Sequence, residues 1–244
     1  MRIVTAVPLV ALFSAAVPAP AHAQDLTALC ERARHPAVGA WSQYQWKGGR
    51  NDGATLRMSI VGSERRDGAA YLWLEIVMRG FPMGQAGRGG AATADTAPPI
   101  VSKVLVPGVG TSQGSPLASI IKVGKTPAMA MPAAARGMGG GAPAPGLDAC
   151  AGARAVGWES VTVPAGTFRA LHVVSASGNS NLWFTPDLPF GLVKEQGTED
   201  GEPRQLLLVT HGTGARSLIT ETPRPFDPRA FAEMMTGGKG APPN

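Results

Sequence analysis

Apolar residues recur along the chain at two spacings, and the change between them marks its elements. Leu26, Leu29, Cys30 and Ala33 fall three or four apart, the spacing of one helix face. Asp25 is placed as an N-cap and Pro36 as the stop. From there the period is two. In 38–47, Val38, Ala40, Tyr44 and Trp46 share a face, and beyond a Gly-rich turn Leu56, Met58 and Ile60 alternate with Thr55, Arg57 and Ser59; both read as half-buried strands. Residues 63–68 are polar and end in a turn at Asp67-Gly68. The segment Ala69–Arg79 carries Leu72, Leu74, Ile76 and Met78 on one face and Tyr71, Trp73 and Val77 on the other. A strand apolar on both faces is covered on both, so it is expected at the centre of a sheet.

Residues 100–106, 117–123, 156–163, 167–175, 182–184, 191–196, 205–211 and 217–220 continue the strand pattern, about ten in all. The 163–166 stretch, Val-Pro-Ala-Gly, is a hairpin turn. Near the end, Asp227 as N-cap, Pro228 at the first helical position and a Phe226/Phe231 staple predict a short helix. No fixed-period repeat and no strand–helix–strand alternation occurs. The predicted fold is mainly β: a single curved antiparallel sheet, an open half-barrel, with a short N-terminal helix against its concave side and a small C-terminal helix.

Composition changes this picture in two places. The chain has 32 Gly and 22 Pro in 244 residues, and they crowd into 80–99 and 124–147, which read as flexible insertions. Met129, Met131 and Met138 lie in the second; as soft thioethers they suit copper(I) or, more simply, an adaptable apolar contact surface. Residues 237–244 read as a disordered tail, leaving 24–236 as one domain.

The first 23 residues form an address. Arg2 precedes an apolar run, and Ala21-His22-Ala23 before Gln24 has the A-x-A form of a signal-peptidase site. The expectation is cleavage between Ala23 and Gln24 and a periplasmic or secreted product, with an uncleaved anchor as the alternative. Leu29 next to Cys30 argues against a lipidated cysteine. No later segment is apolar for the length of a membrane span. In an oxidising compartment the two cysteines, Cys30 and Cys150, are expected to pair; two buried or intermolecular thiols are the alternative. A loop of this length gives at most ~4–5 kcal/mol on the chain-entropy account.

The formal net charge of +5 is spread thinly, with charged residues at 16%, and no basic cluster interleaved with aromatics points to nucleic acid. Catalytic patterns are absent or misplaced. Ser119-Ile120-Ile121-Lys122 spells S-x-x-K, but on a strand it sets Ser119 and Lys122 on opposite faces. His35, His172 and His211 are not spaced as zinc ligands. Glu75, flanked by apolar residues, is either a buried acid of raised pKa or, more simply, an outward or rim-facing carboxylate with a partner.

Two stretches, Glu159–Ala170 (ESVTVPAGTFRA) and Leu182–Lys194 (LWFTPDLPFGLVK), are similar to a pattern in exported bacterial proteins of unknown function related to the LolA/LolB-type lipoprotein carriers. The resemblance implies an open half-barrel whose concave face is plugged by helices; in the carriers that cavity holds acyl chains. The expected function is a non-enzymatic envelope protein, without cofactor or metal. It would bind an acyl chain or other apolar ligand through Tyr44, Trp46, Leu56, Met58, Ile60, Leu72 and Leu74. The alternative is a structural or protein-interaction module acting through the Met/Gly/Pro loops.

Overall fold

The structure, a computed structural model, describes residues 21–81, 97–108, 116–132 and 150–235. The signal segment before Ala21, most of both Gly/Pro insertions, Met138 and the tail lie outside the described residues. Eleven strands form one sheet, and each neighbouring pair is antiparallel. They are β1 (Trp41–Lys47), β2 (Thr55–Arg66), β3 (Ala69–Arg79), β4 (Ile100–Val106), β5 (Ala118–Val123), β6 (Met129–Ala130), β7 (Arg154–Val163), β8 (Gly166–Val174), β9 (Ser180–Phe184), β10 (Leu192–Glu199) and β11 (Glu202–Gly212). The spatial order is β6-β5-β4-β3-β2-β1-β11-β10-β9-β8-β7. Two meanders are thus sewn together where the first strand pairs with the last. The end strands β6 and β7 do not meet, so the sheet stays open. Helices α1 (Ala21–Arg34) and α2 (Pro228–Met235) complete the described fold. The mainly β, open half-barrel expectation holds.

Inside the sheet the register stacks apolar rows across strands. Ser42, Met58, Ile76, Ser102, Ile121 and Met129 are successive partners across six strands. Tyr44, Leu56, Met78, Ile100 and Val123 form the next row. At the other end the sheet curls until β7 touches β10 and β11, and the Ala165 amide in the β7–β8 turn donates to the Leu208 carbonyl of β11 at 3.2 Å. Over this inner face lies α1, whose Leu26, Leu29, Cys30 and Ala33 are buried in the main core. Its approach is close: a Cβ on Gly191, which has φ +73°, would stand 3.2 Å from the Ala33 methyl. The Cys30–Cys150 disulfide, Cα–Cα 6.0 Å, pins the helix to the sheet ahead of β7.

After β11 the chain becomes a strap. Residues 213–225 cross the outer face from β1 to β6, burying Ile219 against Val77, Val101 and Ala128. The strap ends in a parallel bridge, Met129 to Arg224. It then turns the sheet edge, and Phe226, with Ala230 and Phe231 of α2, packs against Ile100, Ile121, Val123, Met129 and Met131 on the inner side.

Several local expectations are corrected. Asp25 is not an N-cap, because α1 already runs from Ala21 and therefore spans the expected cleavage point; its carboxylate instead accepts from Trp158 Nε1 at 2.9 Å. Val38 is 55% exposed and lies before β1. The polar 63–66 stretch is strand, closed by a two-residue turn in which Asp67 and Gly68 both have positive φ. Residues 217–220 are strap, not strand. Met129 and Met131 are buried core residues on the inner side, so they are no flexible contact surface. The C-terminal cap is as expected: Asp227 Oδ1 accepts from the Arg229 and Ala230 amides at 2.9 and 3.3 Å, and the Phe226 and Phe231 rings lie 5.7 Å apart.

Candidate functional site

The seven residues singled out as a ligand surface share the inner face and belong to, or pack against, one core cluster. Tyr44, Leu56, Met58 and Ile60 are at most 1% exposed, Leu74 and Trp46 are buried, and Leu72 is half-buried. Their surface is filled by the protein itself. The Tyr44 hydroxyl reaches over β11 to donate to the Leu192 carbonyl at 3.2 Å. Burial pushes the Tyr44 phenol well above its ordinary pKa, with Ser42 pulling weakly the other way. Phe81 stands edge-on to Trp46 at 4.9 Å. On the same face Ser102 Oγ is buried without a hydrogen-bond partner.

Open space lies elsewhere. An apolar cleft of about 500 Å³ is bounded by Pro98, by the β5–β6 turn from Val123 to Met129, and by Ala230 of α2. Its walls are fixed by local chemistry. The Thr126 hydroxyl donates to the Val123 carbonyl at 2.7 Å, closing the turn, and the Gly124 amide donates to Pro99 at 2.8 Å. The strap pairs with the same turn through Arg224 N to Ala128 O and Ala130 N to Arg224 O, both 2.8 Å. Lys125, Arg224 and Glu233 supply the charge at its margin. Val123 and Met129 line the cleft and also belong to the inner-face cluster under α2, while Ala128 belongs to the outer-face cluster under the strap, so the cleft lies at the sheet edge.

None of the seven predicted residues lines this cleft. The signal that could have found it was the run Val123, Ala128, Met129 and Met131 inside a Gly/Pro-rich stretch, where composition masked a two-residue edge strand.

The candidate groups for chemistry lie apart from one another and from the cleft. Ser119 is buried inside, while Lys122 points outward and donates to Glu221 at 2.6 Å. His172 stacks on Trp183 at 4.8 Å and bonds Asn181 at 2.8 Å. Glu195 lies 3.3 Å from Arg204, and burial raises its pKa against the pull of that guanidinium. Among the described residues no group of three His, Cys, Asp or Glu could hold a metal ion, and no helix is long and apolar enough to cross a membrane.

No family model matches the chain, and no curated protein matches it. Solved structures do resemble it. A candidate lipoprotein of Parabacteroides distasonis is 12% identical, covering 74% of this chain and 98% of its own, with a TM-score of 0.34. The Pseudomonas aeruginosa MucA/MucB complex contributes a chain 13% identical, covering 81% and 59%, with a TM-score of 0.30. The LolA-superfamily protein NE2245 of Nitrosomonas europaea is 10% identical over 83% of this chain and 99% of its own, with a TM-score of 0.22. At these identities and scores the likenesses carry no functional argument.

Proposed function

We propose that the chain is an exported, non-enzymatic protein of the cell envelope, released by cleavage after Ala23. In this reading it holds an acyl chain or comparable apolar ligand in the cleft beneath α2. The observation that carries the reading is the cleft itself: about 500 Å³, walled by Pro98, Val123, Met129 and Ala230, within the size range of small-molecule pockets. Lys125 and Arg224 at its margin suit a carboxylate or phosphate at the head of the chain. Tyr44, Trp46, Leu56, Met58, Ile60, Leu72 and Leu74 are then the packed floor of the same face, toward which a longer chain would insert. Such insertion has to move α1, which the disulfide opposes.

A second reading, a protein-interaction module of the envelope, is favoured by how fully α1 and the sheet fill that floor. Titration with a fluorescent medium-chain fatty acid separates the two. Saturable binding is expected, and Ala230→Trp, which fills the cleft from a half-buried helix position, should weaken it about tenfold, or about 1.4 kcal/mol, without lowering the unfolding midpoint. Saturable binding that Ala230→Trp leaves intact places the seat elsewhere. No saturation removes the apolar-ligand reading and leaves the interaction module.

A further inference from the structure

The geometry points to a second site on the opposite face: an oxyanion pocket for a phosphate group, built by Arg57, Arg79 and Arg216 between β2, β3 and the strap. A polar cleft of about 280 Å³ opens there. The register places its residues. On β2, Thr55, Arg57 and Ser59 project outward. Arg57 lies between Gln43 of β1 and Val77 of β3, and Arg79 faces Thr55. Arg216 comes from the strap, whose start is fastened by the Ala215 amide to the Gly39 carbonyl at 2.8 Å and by Trp41 Nε1 to the Thr213 carbonyl at 3.1 Å.

The charge balance in this cleft calls for an anion. Its one carboxylate, Glu75, is already engaged: Oε2 accepts from Ser217 Oγ at 2.7 Å, and both oxygens accept from the Leu218 amide at 3.0 and 3.1 Å. Among the described residues no carboxylate pairs with Arg57, Arg79 or Arg216. Three guanidinium groups against one carboxylate leave two positive charges, which matches a phosphate monoester dianion better than a single carboxylate. Arg57 is held in place by stacking on Trp41, its Cζ 4.1 Å from the ring centroid, so part of the ordering cost of binding is met before the anion arrives. Ser59 is buried at 4% exposure and lines the cleft, and Gln43 adds an amide donor. A phosphate here would accept bidentate bonds from guanidinium and further bonds from these neutral donors. The site shares no residue with the apolar cleft, and it stands or falls separately from the reading above.

Calorimetric titration of the purified protein with inorganic phosphate in low-salt buffer tests the site. One saturable binding event is expected, weakened about tenfold or more when Arg79→Gln and Arg216→Gln are combined. Both are exposed positions, so the unfolding midpoint should hold. Arg57→Gln should weaken binding further; the exposed pair decides the matter even if that variant loosens β2 through Trp41. Absence of saturable binding overturns the site, and so does an unchanged affinity in the folded double variant. Co-sedimentation with phosphatidylcholine vesicles, plain or doped with phosphatidic acid, then identifies the source. Retention on doped vesicles alone, lost in the double variant, assigns a lipid headgroup; phosphate binding without vesicle retention assigns a soluble phosphate compound.

Discussion

Glu75 shows how one side chain can join distant parts of a chain. It sits on an inner strand of the sheet, 1% exposed, and bonds Ser217 and Leu218, 142 and 143 residues further on. It faces outward and is paired, as the second reading of the sequence has it, and its partners, a hydroxyl and a backbone amide of the strap, cover it. Replacing it with Ala takes away the acceptor of the Leu218 amide and leaves the Ser217 hydroxyl only the Ile219 carbonyl at 3.0 Å, and losing a hydrogen bond to a charged group costs about 1–3 kcal/mol. Glu75→Ala should therefore lower stability by that amount in denaturant titration, with Glu75→Gln less damaging because it keeps one acceptor. An unchanged midpoint would mean that the strap is not held there.

At the scale of elements, the strands whose alternation reaches the core were legible in the sequence, and the rest failed for identifiable reasons. β3 and β4 have the predicted bounds, 69–79 and 100–106: β4 is buried or half-buried along its whole length, and β3 from Tyr71 to Met78. β2, β10 and β11 outrun the apolar pattern. Two-residue turns at Asp67-Gly68 and Asp200-Gly201, all four residues at positive φ, let polar ends such as Arg65 and Arg204 go on pairing beyond the core. β6 was hidden by composition, and Ser217-Leu218-Ile219-Thr220 of the strap looked like a strand because a short apolar, β-branched run reads alike in a strand and in an extended covering segment. The strap also titrates. Hydrogen bonding from Lys122 holds Glu221 down at about 2, from an ordinary 4.5, and the same carboxylate accepts from the Ala128 amide at 3.3 Å. A lowered folded-state pKa stabilises above the ordinary value and is lost as pH falls toward the folded one. Glu195, raised by burial, works in the opposite sense, favouring the fold below 4.5 and losing that contribution as pH rises. Between pH 4.5 and 2, amide protection factors in residues 126–131 and 219–224 should therefore fall more than in β9 and β10. Equal loss of protection in both regions would show that the Glu221–Lys122 pair does not fasten the edge.

At the scale of the whole molecule, pairing of β1 with β11 makes one sheet of two meanders. Each half is then closed by a different device: α1 and the disulfide over the curled end, the strap and α2 around the flat end. The seven inner-face residues were legible as a set because period two places them on one side. That they would be packed by the protein itself, with the open apolar space at the sheet edge, depends on how separate segments meet, as Tyr44 meets Leu192 and Cys30 meets Cys150, which no local pattern encodes. On the proposed reading the cleft beneath α2 holds an apolar ligand. Native mass spectrometry of the protein exported into an oxidising periplasm, followed by lipid extraction, puts this to the test. The expected species is a chain beginning at Gln24, two hydrogens light for the disulfide, carrying one acyl lipid that the Ala230→Trp variant lacks. A protein of bare mass in both forms would contradict it.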